Sequence, residues 1–267
     1  YQEIFERMGE RPMVVRPLDI AGDKAVNYLG FTAEPNPFLG WRAIRMVDER
    51  PEVLYHQLRA LLRAGGATSQ PTDLRVMVPM VSNLAEVHRA KEILAEAQAN
   101  LTAEGIPQAE KVQFGIMVEV PSAAVLLERF LPEVDFISIG TNDLIQYALA
   151  VDRSNNEVAD RYRASDPAVL QLLKISLEAA ARADVAATVC GQVSGEPLYT
   201  MLLLGLGLRG FSVPPGAIPE VKSMCRRVSI PQCQTVAHRA LEMDSAREIE
   251  TFLREQLRKV VPELAWS

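Results

Sequence analysis

The sequence predicts an α/β fold of the (β/α)8 TIM-barrel type. Its 267 residues suit a single barrel of this kind. Short apolar runs of strand length alternate with longer segments whose apolar residues recur at helical spacing. This alternation is typical of a parallel sheet with helical crossovers. The short runs are apolar almost throughout, as expected of strands that are covered on both faces.

Six segments have the length and composition of buried strands, whereas a closed barrel of this type has eight. The C-terminal segment has the pattern of two amphipathic helices and supplies no further strand. We therefore expect the first two strands to precede residue 1, and residues 1–267 to form one barrel domain that is a fragment of a longer chain. The six predicted strands are Met13–Val15, Arg75–Met80, Phe114–Val120, Asp135–Ile139, Ala187–Cys190 and Phe211–Val213.

The segments between the strands are predicted to be helical. Leu84–Asn100 and Pro167–Ala183 both carry apolar residues at helical spacing. Asp166 is placed as the N-cap of the second of these helices, with proline at the first helical position. Pro121 and Pro197 are expected to open two more helices for the same reason.

Composition excludes several classes of partner. The net charge of −6 argues against binding to nucleic acid or to an anionic membrane surface. No apolar run is long enough to span a membrane. Three widely spaced cysteines without a CxxC pair argue against a disulfide scaffold or a zinc site, and they favour a reducing cytoplasm. Of these, Cys225 and Cys233 are interpreted as structural.

Polar residues follow several of the predicted strands. In a parallel barrel the carboxyl ends of the strands share one face, and catalytic residues gather there. The sequence therefore predicts one constellation built from distant positions. Its members are Arg16, Asp19, Glu119, Asn142, Asp143 and Cys190.

Two carboxylates of this set are candidate metal ligands. Glu119 and Asp143 offer the hard oxygen atoms that Mg²⁺ or Mn²⁺ prefers, although a structural ion pair explains them equally well. Asn142 or Asp143 is alternatively the cap of the predicted helix DLIQYALA (143–150). Both roles are compatible, because the free N–H groups at a helix start also bind phosphate.

Arginines supply the matching positive charge. Arg16 is predicted to lie within a strand, where a charged side chain is not a simple surface residue. Arg42 and Arg45 are predicted to share one helix; a solvated helix face is the default for such a pair, but Trp41 beside Arg42 favours a held side chain. Arg153 opens a loop near Asp143. Together with two carboxylates and a thiol, these arginines favour a phosphorylated anion bridged by a divalent metal.

Five runs closely resemble the C-terminal domain of bacterial Enzyme I, the phosphoenolpyruvate–protein phosphotransferases of the sugar or nitrogen phosphotransferase system. A weaker resemblance extends to pyruvate, phosphate dikinase and phosphoenolpyruvate synthase. The resemblance covers nearly the whole chain in order. The runs are VVRPLDIAGDK (14–24), NPFLGWRAIR (36–45), GIMVEVPSAA (115–124), DFISIGTNDLIQYALAVDRSN (135–155) and CGQVSGE (190–196).

The resemblance implies a cytoplasmic enzyme domain that binds phosphoenolpyruvate with Mg²⁺. The phosphoryl group would pass to a histidine on an upstream domain, and pyruvate would be released. The implied partners are that phosphohistidine domain, the phosphocarrier protein HPr or its nitrogen-system analogue, and a second copy in a homodimer. The implied roles are substrate contacts from Arg16, Arg42, Asn142, Asp143 and Arg153, metal ligation by Glu119 and Asp143, and protonation of the enolate carbon by the catalytic Cys190.

Some features depart from this pattern. The family usually has Glu where this chain has Gln192, and Asp where it has Glu196. No histidine lies in a phosphorylation motif, so we expect the chain alone to bind phosphoenolpyruvate without completing transfer. A dikinase-type domain, or a phosphoenolpyruvate-sensing or scaffold relic without turnover, remains an alternative. The three histidines, His56, His88 and His238, are expected in helices.

Overall fold

The computed structural model describes residues 1–20, 34–69 and 72–262. In these ranges six strands form a sheet in which β1 to β6 follow chain order, and the pairs β1–β2, β2–β3 and β5–β6 are parallel. The predicted α/β class is confirmed, and every predicted strand is present within two residues of its expected bounds. The strands are β1 Met13–Val15, β2 Leu74–Val78, β3 Val112–Val118, β4 Phe136–Gly140, β5 Ala186–Cys190 and β6 Gly210–Phe211.

The chain forms two compact units. Unit 1 comprises residues 1–117 and 133–136, and unit 2 comprises residues 118–132 and 137–267. We predicted that residues 1–267 form one barrel domain and that two further strands precede residue 1. Both statements stay predictions. Residues 21–24 of the run VVRPLDIAGDK lie outside the described residues.

Three α-helices lie in the described residues of unit 1. Helix α3 begins at a capping box in which the Asn83 side chain accepts from the Glu86 N–H and the Glu86 side chain accepts from the Asn83 N–H. Leu58 and Leu61 lie on the buried face of α2, which packs against α3. The helices are α1 Gln2–Met8, α2 Pro51–Gly66 and α3 Leu84–Ala103.

Unit 2 contains the remaining helices, and their starts follow the predicted signals. Asp166 caps α7 by accepting from the Ala168 N–H at 2.9 Å, and Pro167 takes the first helical position. Pro121 and Pro197 open helices as predicted, and two helices follow residue 229. The helices are α4 Pro121–Val125, α5 Leu127–Phe130, α6 Thr141–Leu149, α7 Pro167–Arg182, α8 Gln192–Gly195, α9 Pro197–Gly205, α10 Ile218–Arg227, α11 Ile230–Leu241 and α12 Ala246–Val260.

The prediction that Arg42 and Arg45 share one helix is wrong. Arg42 has an extended backbone and precedes a short 3-10 helix, Ala43–Met46, that contains Arg45. Ala43 has a φ of 51°, in the left-handed region that an α-helix cannot include. Arg45 donates to the carbonyl oxygens of Leu39 and Gly40 at 2.7 and 3.2 Å.

Helix α9 is apolar on nearly every side and is buried, chiefly by α11. The contact is close because α9 carries glycine where the two backbones meet. A Cβ atom added at Gly205 would lie 2.1 Å from the carbonyl oxygen of Cys233 on α11. Since backbone atoms cannot yield as a flexible side chain can, any larger residue would force the helices apart.

We predict that Gly205→Ala lowers the free energy of unfolding by about 1–3 kcal/mol, because the new methyl group overpacks the α9–α11 contact. The matched control is Gly216→Ala, where an added Cβ meets nothing within 4 Å. Denaturant unfolding of both variants measures the difference. Equal stability of the two variants would contradict the prediction.

Candidate functional site

The Cys190 thiol lies at the carboxyl end of β5, as the sequence predicted. It is half-buried, and its Sγ donates to the carbonyl oxygen of Ile139 in β4 at 3.5 Å. The carbonyl oxygen of Cys190 accepts a 2.8 Å hydrogen bond from Thr141 Oγ1. Both contacts join the end of β5 to the point where β4 runs into α6.

Asn142 and Asp143 lie inside the first turn of α6 instead of capping it. The N-cap is Gly140, and no side chain caps this helix, so the capping interpretation is wrong. The physical reason is that β4 ends at Gly140 and α6 begins at Thr141, with no loop between them to hold a capping side chain. The amino end of α6 carries the partial positive charge that favours the Asp143 carboxylate.

Asn142 is bonded on two sides. Its Oδ1 accepts from the Gln192 N–H at 3.0 Å, and its backbone carbonyl accepts from the Tyr162 hydroxyl at 2.9 Å. With Oδ1 engaged as an acceptor, the Nδ2 group contributes only donors. A donor amide at this position is suited to a phosphate oxygen.

Asp143 is paired with Arg153. Its side chain is 7% exposed, and Oδ1 lies 3.6 Å from Arg153 Nη2. The Arg153 N–H donates to the buried side chain of Gln146 at 3.1 Å, which ties the loop back to α6. Burial raises the pKa of the nearby Tyr162 hydroxyl, and the Arg153 charge opposes that rise.

Glu119 directly follows β3 and is 2% exposed. The carboxylate oxygens of Glu119 and Asp143 are of the hard type that Mg²⁺ prefers, which is the chemistry of their predicted role. Over residues 1–20, 34–69 and 72–262, no group of three or more His, Cys, Asp or Glu side chains is arranged to hold a metal ion. Two protein carboxylates with further oxygens from substrate and water are a usual arrangement for Mg²⁺.

Arg42 belongs to unit 1 and is buried. Its Nε and Nη2 donate to the two carboxylate oxygens of Asp19 at 2.8 and 2.6 Å, and the Asp19 side chain is only 3% exposed. The Phe38 ring centroid lies 6.0 Å from the guanidinium carbon. This pairing confirms the prediction that the Arg42 side chain is held in place.

The prediction that Arg16 lies within a strand is wrong. Strand β1 ends at Val15, and Arg16 is exposed just beyond it.

The comparisons with known proteins decide the family. Residues 1–230 match the family model described as PEP-utilising enzyme, PEP-binding domain, where PEP is phosphoenolpyruvate. The chain belongs to this PEP-utilising family. The resemblance found in the sequence motifs is thereby confirmed.

Curated relatives of this family member are phosphoenolpyruvate-protein phosphotransferases. The protein from Priestia megaterium is 42% identical over 254 residues, which is 95% of this chain and 44% of that protein. The Bacillus subtilis protein is 40% identical over 255 residues, or 96% and 44% of the two chains. The Haemophilus influenzae protein is 41% identical over 257 residues, with the same shares. The chain therefore spans less than half the length of these relatives.

A solved structure supports the fold of the PEP-utilising chain independently. Malate synthase from Haloferax volcanii, in a pyruvate and acetyl-CoA complex, aligns with a TM-score of 0.51 at 13% identity. The alignment covers 84% of this chain and 55% of that one. The likeness shows a TIM-barrel-like α/β fold and nothing about function.

Several site residues were missed by sequence reasoning. Three residues that were not predicted form hydrogen bonds with predicted ones: Thr141 with Cys190, Gln146 with Arg153, and Tyr162 with Asn142. Asp19 was predicted as a site residue, but its pairing with Arg42 was not. Thr141 and Gln146 lie within the motif run DFISIGTNDLIQYALAVDRSN (135–155), whereas Tyr162 lies outside the quoted runs. The histidines lie in α2, α3 and α11, as predicted. No helix in the described part of the chain is long and apolar enough to cross a membrane.

The segment after Cys190 reaches an acidic cluster beside α12. Burial raises the pKa of Glu196, and the carboxylate of Glu250 raises it further, while Arg254 opposes both effects. Burial also raises the pKa of Tyr199 to about 12. Ser165 donates to Glu250 at 3.1 Å. The raised pKa shows that the charged form of Glu196 is disfavoured in the folded chain.

We predict that Glu196→Gln raises the thermal midpoint at neutral pH. The folded chain holds the Glu196 proton more tightly than the unfolded chain, so ionisation above the ordinary pKa of 4.5 costs stability. The gain should vanish below pH 4.5, where both states are protonated. Thermal scans across this pH range, with the exposed Glu255→Gln as control, test it. An unchanged or lower midpoint for Glu196→Gln at neutral pH would contradict the prediction.

Proposed function

We propose that this chain is the PEP-binding catalytic domain of a phosphoenolpyruvate–protein phosphotransferase. The observation that carries the proposal is the assembly around the first turn of α6. There, Thr141 donates to Cys190, Asn142 accepts from Gln192, and Asp143 pairs with Arg153. Membership of the PEP-utilising family supports it. The names of the curated relatives favour it over a dikinase or synthase domain.

Phosphate recognition is assigned to guanidinium and amide donors. Arg16, Arg42 and Arg153 supply positive charge, and Asn142 supplies N–H donors. The Asp19 carboxylate fixes the plane of the Arg42 guanidinium before substrate arrives. Such preorganisation avoids part of the entropic cost of ordering a long side chain when the anion binds.

Metal ligation is assigned to Glu119 and Asp143. Both residues are buried, and their carboxylates provide oxygen atoms of the kind that Mg²⁺ prefers. When bound, the ion would neutralise charge on the transferred phosphoryl group. Arg153 lies beside Asp143 and adds a second positive charge at the same carboxylate.

Cys190 is assigned the proton transfer. When the phosphoryl group leaves, the bond between phosphorus and the enol oxygen breaks and its electron pair stays on that oxygen as an enolate. The C3 carbon of the enolate then takes the Sγ proton of Cys190, which gives pyruvate and a thiolate. A thiol is a suitable acid for this step because nearby cations stabilise the thiolate.

The whole reaction requires more than this domain. We assign the phosphoryl acceptor to a histidine of an upstream domain, and the next carrier to HPr or its nitrogen-system analogue. A homodimer and a cytoplasmic location complete the proposal. Within the described chain, His56, His88 and His238 all lie on helices, and His238 pairs with Glu242 at 3.4 Å on the α11 surface. None of the three is assigned a carrier role.

We predict that Glu119→Gln weakens Mg²⁺-dependent PEP binding by more than about tenfold, because one charged ligand of the metal is lost. Calorimetric titration of PEP, with and without Mg²⁺, measures the effect, and circular dichroism confirms folding. The matched control is the exposed Glu128→Gln, which should bind as wild type does. Metal-independent binding, or unchanged affinity in Glu119→Gln, would refute the ligand assignment. A folded wild type that does not bind PEP would overturn the proposed function.

A second prediction separates binding from proton transfer. Cys190→Ala should keep the PEP affinity within about threefold and abolish deuterium incorporation into the pyruvate methyl group in heavy water, because the thiol moves the proton without holding the phosphate. Nuclear magnetic resonance follows the exchange. Cys225→Ala, which removes an exposed thiol on α10, is the control and should exchange as wild type does. Persistent exchange by Cys190→Ala would exclude the thiol as the acid.

A further inference from the structure

Thr141 is a buried polar residue to which the proposed reaction gives no role. It is 0% exposed, so its hydroxyl cannot meet a substrate in the structure as it stands. That hydroxyl donates to the carbonyl oxygen of Cys190 at 2.8 Å, across 49 positions of sequence. The bond links the start of α6 directly to the residue that carries the thiol.

Gly191 makes this contact possible. Its φ of 95° is a conformation that side chains rarely allow. A Cβ atom added there would lie 2.5 Å from Thr141 Oγ1 and 2.9 Å from Asn142 Oδ1. Because Gly191 has no side chain, the Thr141 hydroxyl and the Asn142 amide oxygen can approach the backbone of residues 190–192 closely.

Three consecutive residues, from the end of β5 to the start of α8, contact two consecutive residues of α6. The Cys190 carbonyl accepts from Thr141, Gly191 packs against both side chains, and the Gln192 N–H donates to Asn142 at 3.0 Å. Fixing the carbonyl of Cys190 fixes the peptide plane next to the thiol. The thiol contact with Ile139 then follows from a backbone that has little freedom to rotate.

We infer that Thr141 is a positioning residue that fixes the Cys190 thiol through its backbone carbonyl, with Gly191 as its steric counterpart. The inference rests on the proposed function for its meaning in catalysis, because Cys190 is the proposed acid. Thr141 acts through Cys190 and touches neither the substrate nor the reacting carbon. Its loss should therefore impair proton transfer far more than substrate binding.

The experiment compares two substitutions at Thr141. Thr141→Val keeps the shape and removes the hydroxyl, whereas Thr141→Ser keeps the hydroxyl and removes a methyl group. The matched control is Thr200→Val, since Thr200 is 1% exposed and its hydroxyl has no hydrogen-bond partner among the described residues. Thr141→Ala, which leaves space in place of the hydroxyl, is used if Thr141→Val does not fold.

Three quantities are measured on each variant: pyruvate deuterium exchange, the PEP dissociation constant, and the rate at which iodoacetamide alkylates Cys190, followed by mass spectrometry of its peptide. In the exchange, a C3–H bond breaks, its electron pair forms the enolate, the proton passes to the thiolate, and solvent deuterium returns by the reverse path. We expect Thr141→Val to slow exchange by about 10- to 100-fold, because a displacement of about 1 Å has effects of that size.

The other measurements distinguish positioning from general damage. In Thr141→Val, PEP affinity should stay within about threefold, and Cys190 alkylation should accelerate by about tenfold as the half-buried thiol is released. Thr141→Ser should restore the wild-type values, and Thr200→Val should not change them. If Thr141→Val matches Thr200→Val, or if Thr141→Ser is as impaired as Thr141→Val, the inference is overturned. If wild type neither binds PEP nor exchanges pyruvate, the proposed function fails, and alkylation alone still decides the role of Thr141.

Discussion

The site in unit 2 depends on one close approach, between the first turn of α6 and the backbone that follows β5. Gly191 has no Cβ, so Thr141 Oγ1 and Asn142 Oδ1 can contact the loop directly. This contact brings the residue that carries the thiol next to a helix start that carries Asp143, the partner of Arg153. The proposed site therefore forms where the end of β5 and the start of α6 are in contact, because that contact brings the functional side chains of the two elements together.

Each unit contains an arginine that is paired with an aspartate. Arg42 is paired with Asp19 in unit 1, and Asp143 is paired with Arg153 in unit 2. The Arg42–Asp19 pair is buried and hydrogen-bonded, and because a buried charge is costly without such a partner, this pair keeps Arg42 in a defined position. Within unit 1, the two hydrogen bonds to Asp19 therefore order the Arg42 guanidinium before any ligand binds. Glu119, which directly follows β3, is a buried carboxylate and offers oxygen atoms of the kind that Mg²⁺ prefers.

The C-terminal helices α11 and α12 lie almost wholly beyond the family match, which ends at residue 230. They nevertheless support the segment that carries Cys190. Helix α11 packs on α9 at Gly205, and Glu250 of α12 accepts from Ser165 and raises the pKa of Glu196. The acidic cluster costs stability at neutral pH, whereas the apolar α9 surface that these helices bury contributes stability.

The sequence by itself determined the six strands, the main helix starts, the family, and the position of Cys190 and Glu119 at strand ends. These features depend on periodicity and caps, which involve residues a few positions apart. Only the tertiary structure showed that Arg42 lies outside a helix and pairs with Asp19. It also showed that the Thr141 hydroxyl donates to the carbonyl oxygen of Cys190. Such contacts join residues 23 and 49 positions apart. They depend on which chain segments fold side by side, and no local propensity encodes that choice.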